Sequence, residues 1–196
     1  MLATPSGALA QTGADGPAAL CWRGRPAAQC SSFLVTEFAL SAGPKKSARR
    51  PPVNGSWELG AMKNVSPTTA VGASAFVIHD DESRYLLGIR PRARHWLSNG
   101  MSVDLGLGII LRDLRERSFI VEVPSFTGRV GLDWGDRFGV FAKVEVLSIQ
   151  ERPQSNPALV GTQAALYMGL RFGSDVGVLA SAIAAGLVHW SNKISS

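Results

Sequence analysis

From Ser31 onward, apolar and polar residues alternate with a period of two, in segments separated by clusters of Gly, Pro, Asn, Asp and Ser. That rhythm predicts β-strands with one apolar face and one polar face. It is clearest over 101–112. There Met101, Val103, Leu105, Leu107, Ile109 and Leu111 share a face, while Ser102, Asp104, Gly106, Gly108 and Arg112 mostly fill the other, with Ile110 the exception. Leu166, Met168, Leu170 and Phe172 stand opposite Gln163, Tyr167, Gly169 and Arg171, and Phe138, Val140, Ala142, Val144 and Val146 stand opposite Lys143 and Glu145. Weaker alternation over 33–42, 56–63, 69–79, 84–94 and 126–134 brings the predicted strands to eight. Pro91 falls inside one of them and suits a strand end or a bulge, since it cannot donate to a ladder.

The connections alternate in length. Those at 64–68, 95–100 and 135–136 are short; those at 43–55, 80–83, 113–125 and 150–160 are more variable and more polar. In an up-and-down meander the first set lies at one end and the second at the other, an asymmetry characteristic of outer-membrane barrels. The segment 174–190 departs from the pattern. Val176, Val178, Leu179, Ile183, Leu187 and Val188 fit neither period, and Ala180, Ala182, Ala184 and Ala185 favour a helix. A short apolar helix under or beside the barrel is expected, with a ninth strand as the alternative.

Alternation alone does not say which face points inward, because a soluble barrel or sandwich shows it too. The polar face decides. It carries Glu37, Glu58, Arg90, Arg92, Asp104, Arg129, Asp133, Lys143, Glu145 and Arg171, five acids and five bases that can neutralise one another in a narrow lumen. Gly60, Gly72, Gly88, Gly106, Gly108, Gly131 and Gly169 share that face and leave room for long side chains inside a small barrel. The apolar face, with Val103, Leu105, Leu107, Ile109, Val140, Val144, Leu166, Met168 and Leu170, then looks toward lipid. Phe33, Trp57, Tyr85, Trp96, Phe126, Trp134, Phe138 and Phe172 gather near strand ends, where rings at the headgroup level are expected.

Composition narrows the class further. With 45% hydrophobic and 18% charged residues the chain can build a core, and its longest charge-free apolar run, over 176–188, is too short for a membrane-spanning helix, which needs about 20 residues. The net charge of +5 does not concentrate on one element, and no aromatics interleave the basic run Lys45, Lys46, Arg49 and Arg50, so a nucleic-acid partner is not expected. That run lies in the first long loop and could contact phosphates of lipopolysaccharide. Cys21 and Cys30 flank a Gly/Arg/Pro loop with no second pair to build a metal site, so a disulfide and an oxidising compartment are expected. Ala8-Leu9-Ala10 has the form of a signal-peptidase cut, which reads residues 1–10 as the remnant of a signal peptide and 11–30 as an N-terminal extension. Residues 31–173 then form the barrel, and 174–196 an apolar C-terminal segment and tail.

Over roughly 33–172 the chain resembles the small eight-stranded outer-membrane β-barrel proteins of Gram-negative bacteria, in architecture rather than by a diagnostic motif. The resemblance implies an all-β, antiparallel, up-and-down transmembrane barrel in the outer membrane, with periplasmic short turns and outward-facing long loops. Its partners would be the lipid bilayer and lipopolysaccharide. The resemblance does not transfer an activity, since that fold hosts adhesins, anchors and lipid-modifying enzymes alike; with a lumen filled by side chains, the leading expectation is a structural or surface-interaction role without enzymatic activity, cofactor or metal. Two alternatives stand beside it. His189-Trp190-Ser191-Asn192 is similar to the His-x-Ser-Asn signature of outer-membrane lipid A deacylases, which would make His189 a base toward Ser191 in lipid A or phospholipid acyl hydrolysis. The orienting carboxylate that family carries downstream is absent from this sequence. The other alternative is a soluble periplasmic β-barrel binding a small apolar ligand.

Three further groupings read as structure. His95 and Ser98 are three apart and fall on opposite faces of a strand, ahead of the turn pair Asn99-Gly100. His79-Asp80-Asp81-Glu82 is a solvated hairpin tip rather than a cation site. Glu58 and Glu145 could act as paired carboxylates only across a cleft, and pairing with lumen cations is the simpler expectation.

Overall fold

The computed structural model describes residues 20–43, 53–80, 85–114, 119–151, 160–179 and 182, with side chains of 80, 119–123, 149–151 and 160 outside the description. Nine strands form one sheet: β1 (Leu20–Cys21), β2 (Ser32–Ala42), β3 (Val53–Ser66), β4 (Thr69–Asp80), β5 (Tyr85–Ser98), β6 (Met101–Asp113), β7 (Phe119–Trp134), β8 (Phe138–Glu151) and β9 (Val160–Gly173). β2 to β9 run antiparallel in chain order, and β9 pairs back onto β2 from Glu37↔Gly173 to Ala42↔Met168, closing an eight-stranded up-and-down barrel. β9 covers only the later half of β2. Strand β1 adds in parallel at the start of the earlier half, Leu20 beside Ser32 and Cys21 beside Phe33, so these two residues are not left as an open edge.

The pleat sorts the side chains. Along β6 the even positions Ser102, Asp104, Gly106, Gly108 and Ile110 are buried and the odd positions Leu105, Leu107, Ile109 and Leu111 are exposed. Ile110, the exception to the alternation, joins a buried apolar cluster inside the barrel. Pro91 points outward on β5 and keeps its place beside Ala73 of β4, but the ladder to β6 skips Arg90 and Pro91. That is where a residue without an N–H can sit in a strand.

At one end the turns are tight, at 67–68, 99–100 and 135–137. The last uses left-handed backbone at Gly135 (φ 62°) and Asp136 (φ 58°), and the Gly135 N–H donates to Gly100 O at 2.8 Å, tying two neighbouring turns together. The expected long connection at 113–125 is shorter than the sequence suggested, because β7 begins at Phe119. The chain passes Pro124 as an exposed residue at an irregularity in the β7–β8 ladder between Glu122 and Phe126. Proline and a broken alternation hid that half of the strand. After β9 the chain turns at Ser174 (φ 52°) into a short helix over 174–179, not a ninth barrel strand; the additional strand is β1, at the other terminus. Among the described residues no helix is long and apolar enough to cross a membrane.

Candidate functional site

The lumen is packed in three tiers. Its middle is an ion network built on β2, β3, β5, β6, β7 and β9. Arg92 donates to Glu37 and Asp104 at 2.7 Å each and to Glu58 at 3.2 Å. Arg129 bridges Glu58 at 3.0 Å and Glu37 at 2.9 Å, Arg171 meets Glu37 at 2.9 Å and also contacts Asp133, and Arg90 pairs with Glu58. Nearer the long connections, Lys143 reaches Glu145 at 2.8 Å and Asn54 at 2.9 Å. Glu37 and Glu58 are direct cross-strand neighbours, an arrangement that repels when left alone. Here Arg92 and Arg129 each bind both carboxylates, which turns the repulsion into a bridge.

Burial of this many ions costs desolvation, and only close, multiple pairing offsets it. Glycine provides the space: a Cβ on Gly106 would stand 2.5 Å from Cδ of Arg90, and one on Gly108 2.9 Å from the Phe76 ring. The Arg90 guanidinium lies 4.4 Å from the centre of that ring. Clusters of buried apolar side chains flank the network on both sides. Phe76, Ile78, Leu86, Ile110 and Leu147 close it toward the long connections, and Phe33, Val35, Met62, Ala70 and Trp96 close it toward the short turns.

Beyond the second tier lies a plug. Cys21 and Cys30 form a disulfide with Cα atoms 6.0 Å apart, closing the loop that holds buried Gly24 and Pro26. Asn64 fixes this loop with two donations, to Arg25 O and Cys30 O at 2.7 Å each, and its side-chain oxygen accepts from the Trp96 indole at 3.2 Å. The Gly24 N–H donates to Asp136 Oδ2 at 2.7 Å; the same carboxylate takes the Ser174 hydroxyl at 3.1 Å and pairs with Arg94. Asp136 therefore joins plug, lumen and C-terminal helix. Outside it, Asp175 pairs with Arg23 at 2.9 Å and Arg137 at 3.5 Å.

All ten predicted lumen residues are buried, with Asp104 0% and Lys143 3% exposed. Arg94 and Asp136 belong with them though the alternation does not single them out, Arg94 because it ends the predicted strand and Asp136 because it sits in a turn. The parity of Arg90 and Arg92 was the signal for Arg94. With both included, the described lumen residues balance at six acids and six bases.

The outer wall is the opposite. Leu105, Leu107, Ile109, Val140, Val144, Leu166, Met168 and Leu170 are exposed, Leu107 at 75%, and Val103 is half-buried. Two of the predicted headgroup aromatics are corrected. Phe33 (0%) and Trp96 (6%) point into the lumen, because each has the parity of the buried ions on its own strand, Glu37 and Arg94; nearness to a strand end does not set facing. The rings of the outward parity, Phe38 among them although it is buried, line up instead along the direction of strand pairing. Trp134, Phe138, Phe172, Phe38, Trp57, His79 and Tyr85 succeed one another across β7, β8, β9, β2, β3, β4 and β5, with centroid spacings of 6.0 Å (Trp134–Phe138), 5.9 Å (Phe138–Phe172), 5.5 Å (Phe38–Trp57) and 4.5 Å (His79–Tyr85). The row runs from a short turn to a hairpin at the other end.

The remaining groupings are not brought together. Glu58 is held by its arginines and Ser74, and Glu145 by Lys143 in a separate part of the lumen. His95 is exposed on the wall, 3.3 Å from Thr69 Oγ1, and His79 stacks on Tyr85. Lys45, Lys46, Arg49, Arg50, Asp81, Glu82, His189 and Ser191 lie outside the described residues, as do residues 1–10.

No family model and no curated protein matches the chain. Among solved structures it is similar to one described as "De novo design of transmembrane beta-barrels", at a TM-score of 0.42 and 9% identity, covering 77% of this chain and 98% of that one. So distant a likeness adds nothing to what the chain's own strand pairing and burial establish: a closed antiparallel barrel with ions inside and large aliphatic side chains outside.

Proposed function

We propose that the protein is a small transmembrane barrel of a bacterial outer membrane, with a structural or surface-interaction role and no catalytic one. The observation that carries this reading is the inversion of polarity across the wall. Charged side chains fill the interior, and large aliphatic ones cover the exterior on strands all round the barrel. In water such an exterior would drive aggregation; against acyl chains it is the favourable solvent match. A strand the length of β6, 13 residues, tilted by about 40°, rises through about 30 Å, enough for a hydrocarbon core. Where β9 closes onto β2, from Glu37↔Gly173 to Ala42↔Met168, the backbone ladder is satisfied internally, as lipid requires.

A soluble periplasmic carrier would need an apolar cavity inside, where this lumen holds paired ions. The same packing argues against a general pore, since the described ions of the network are all buried. The short turns and plug are assigned to the periplasm, where the Cys21–Cys30 disulfide persists. The long connections then face outward, toward lipopolysaccharide. Fractionation of cells followed by electrophoresis with and without boiling tests this. A membrane-bound band whose mobility changes on boiling is expected, and a chain recovered in the soluble periplasm contradicts it.

A further inference from the structure

We propose that the wall carries a phospholipid site, a groove between the C-terminal helix and strands β2–β4 that holds one acyl chain, with the lipid phosphate at Arg23 and Arg137. The site rests on the membrane placement above and goes beyond it by naming where on the wall a lipid is held. The helix over 174–179 folds back against the barrel because the Thr36 hydroxyl donates to Ser174 O at 3.2 Å and Gly177 has no side chain. A Cβ there would lie 2.8 Å from Thr36 O and closer still to Phe172 O. Past this contact the helix stands off the wall at Val178 and leaves a groove of about 300 Å³ over Thr36, Leu59, Ala75 and Val77, with Trp57 at its side.

Thr36 and Ala75 are small side chains at outward positions and leave the groove deep between the helix and Leu59 and Val77. Glu37 and Glu58 border it only through backbone, since their carboxylates are committed to lumen arginines. The groove itself is therefore apolar. Beside it, two residues before Gly177, the helix carries Asp175 between Arg23 and Arg137. Although what desolvation it feels acts the other way, the two guanidiniums hold the Asp175 carboxyl below its ordinary range. Two cations against one carboxylate leave guanidinium N–H groups for a phosphate. Apolar trough and cationic rim, at the end of the barrel assigned to a headgroup layer, match a glycerophospholipid lying along the wall.

The test compares Ala75→Trp, which fills the groove from the wall side, with Ala73→Trp, two positions along the same outward face and outside the groove. Each full-length chain is refolded into phosphatidylglycerol/phosphatidylethanolamine vesicles, extracted in mild detergent and weighed by native mass spectrometry, with the boiling shift read on the same samples. The wild type and Ala73→Trp are expected to retain one phospholipid mass, Ala75→Trp to lose at least about tenfold of it, and Arg23→Ala with Arg137→Ala to lose several-fold. Equal retention in the two tryptophan variants overturns the site. So does a folded, heat-shifted wild type without lipid, including one in which Ala75→Trp lowers the unfolding midpoint because the chain's own C-terminal residues fill the groove. A wild type that fails to enter vesicles at all overturns the membrane placement as well, and the boiling shift separates these results.

Discussion

Lumen and outer wall are made by the same strands, so every residue step crosses between them. Asp104 is fully buried and Leu105, the next residue, is half in the open. In a water-soluble protein this ordering would be doubly unfavourable. In the proposed membrane placement each side is matched to its surroundings by a different device: the lumen by mutual neutralisation of buried ions, the wall by aliphatic side chains that suit an apolar solvent. The two regions therefore differ in how they tolerate change. A lumen residue is bound to several named partners, whereas a wall residue answers only to the phase around it.

Substitutions separate the two regimes. The largest expected effect is Asp104→Ala. It removes the shared partner of Arg92 and Arg94 and leaves buried cations short of a counter-charge, a loss of about 3–5 kcal/mol in urea unfolding of the vesicle-folded barrel. If the cost is instead that of a surface pair, the lumen is wet. Leu107→Arg probes the wall with a single charge and is expected to cost about 2–4 kcal/mol at mid-bilayer, falling off for positions nearer the turns. An unchanged midpoint would place Leu107 in water.

Replacing Cys21 and Cys30 by Ser frees the plug without touching ions or wall; with the loop closed by a sequence separation of 9, the loss is about 2–3 kcal/mol. Amide exchange is expected to rise first at Gly24 and along β1. Asp136→Asn keeps a residue suited to left-handed backbone but weakens the joint between Arg94, Gly24 and Ser174, a loss of about 1–2 kcal/mol. Its exchange signature should fall on the plug and the helix over 174–179 together. Loosening of one without the other would mean that Asp136 does not couple them.

Strand parity was legible because aliphatic side chains outside and ions inside are chemically far apart, and β6, β8 and β9 display the contrast at nearly every position. What parity could not deliver lies where the strands stop. Phe33 and Trp96 are apolar yet inward, since the lumen near the short turns is closed by rings rather than ions, and a two-letter pattern reads any ring as outward. The half of β7 before Phe126 was lost to Pro124. The plug over 20–31 has no period at all; its disulfide could be read from the cysteines, but its seat against Asn64 and Asp136 depends on partners dozens of residues away. The groove under the helix was equally out of reach, being the product of a backbone approach at Gly177.

Site-directed labelling tests the inverted polarity most directly. The native cysteines are paired, so a single added thiol reports alone. In intact membranes Leu107→Cys should react with a lipid-soluble maleimide and resist a charged one, while Ser102→Cys, on the inward face, should react with neither until the barrel is unfolded. Rapid modification of the residue at 107 by the charged reagent in intact membranes would contradict the account.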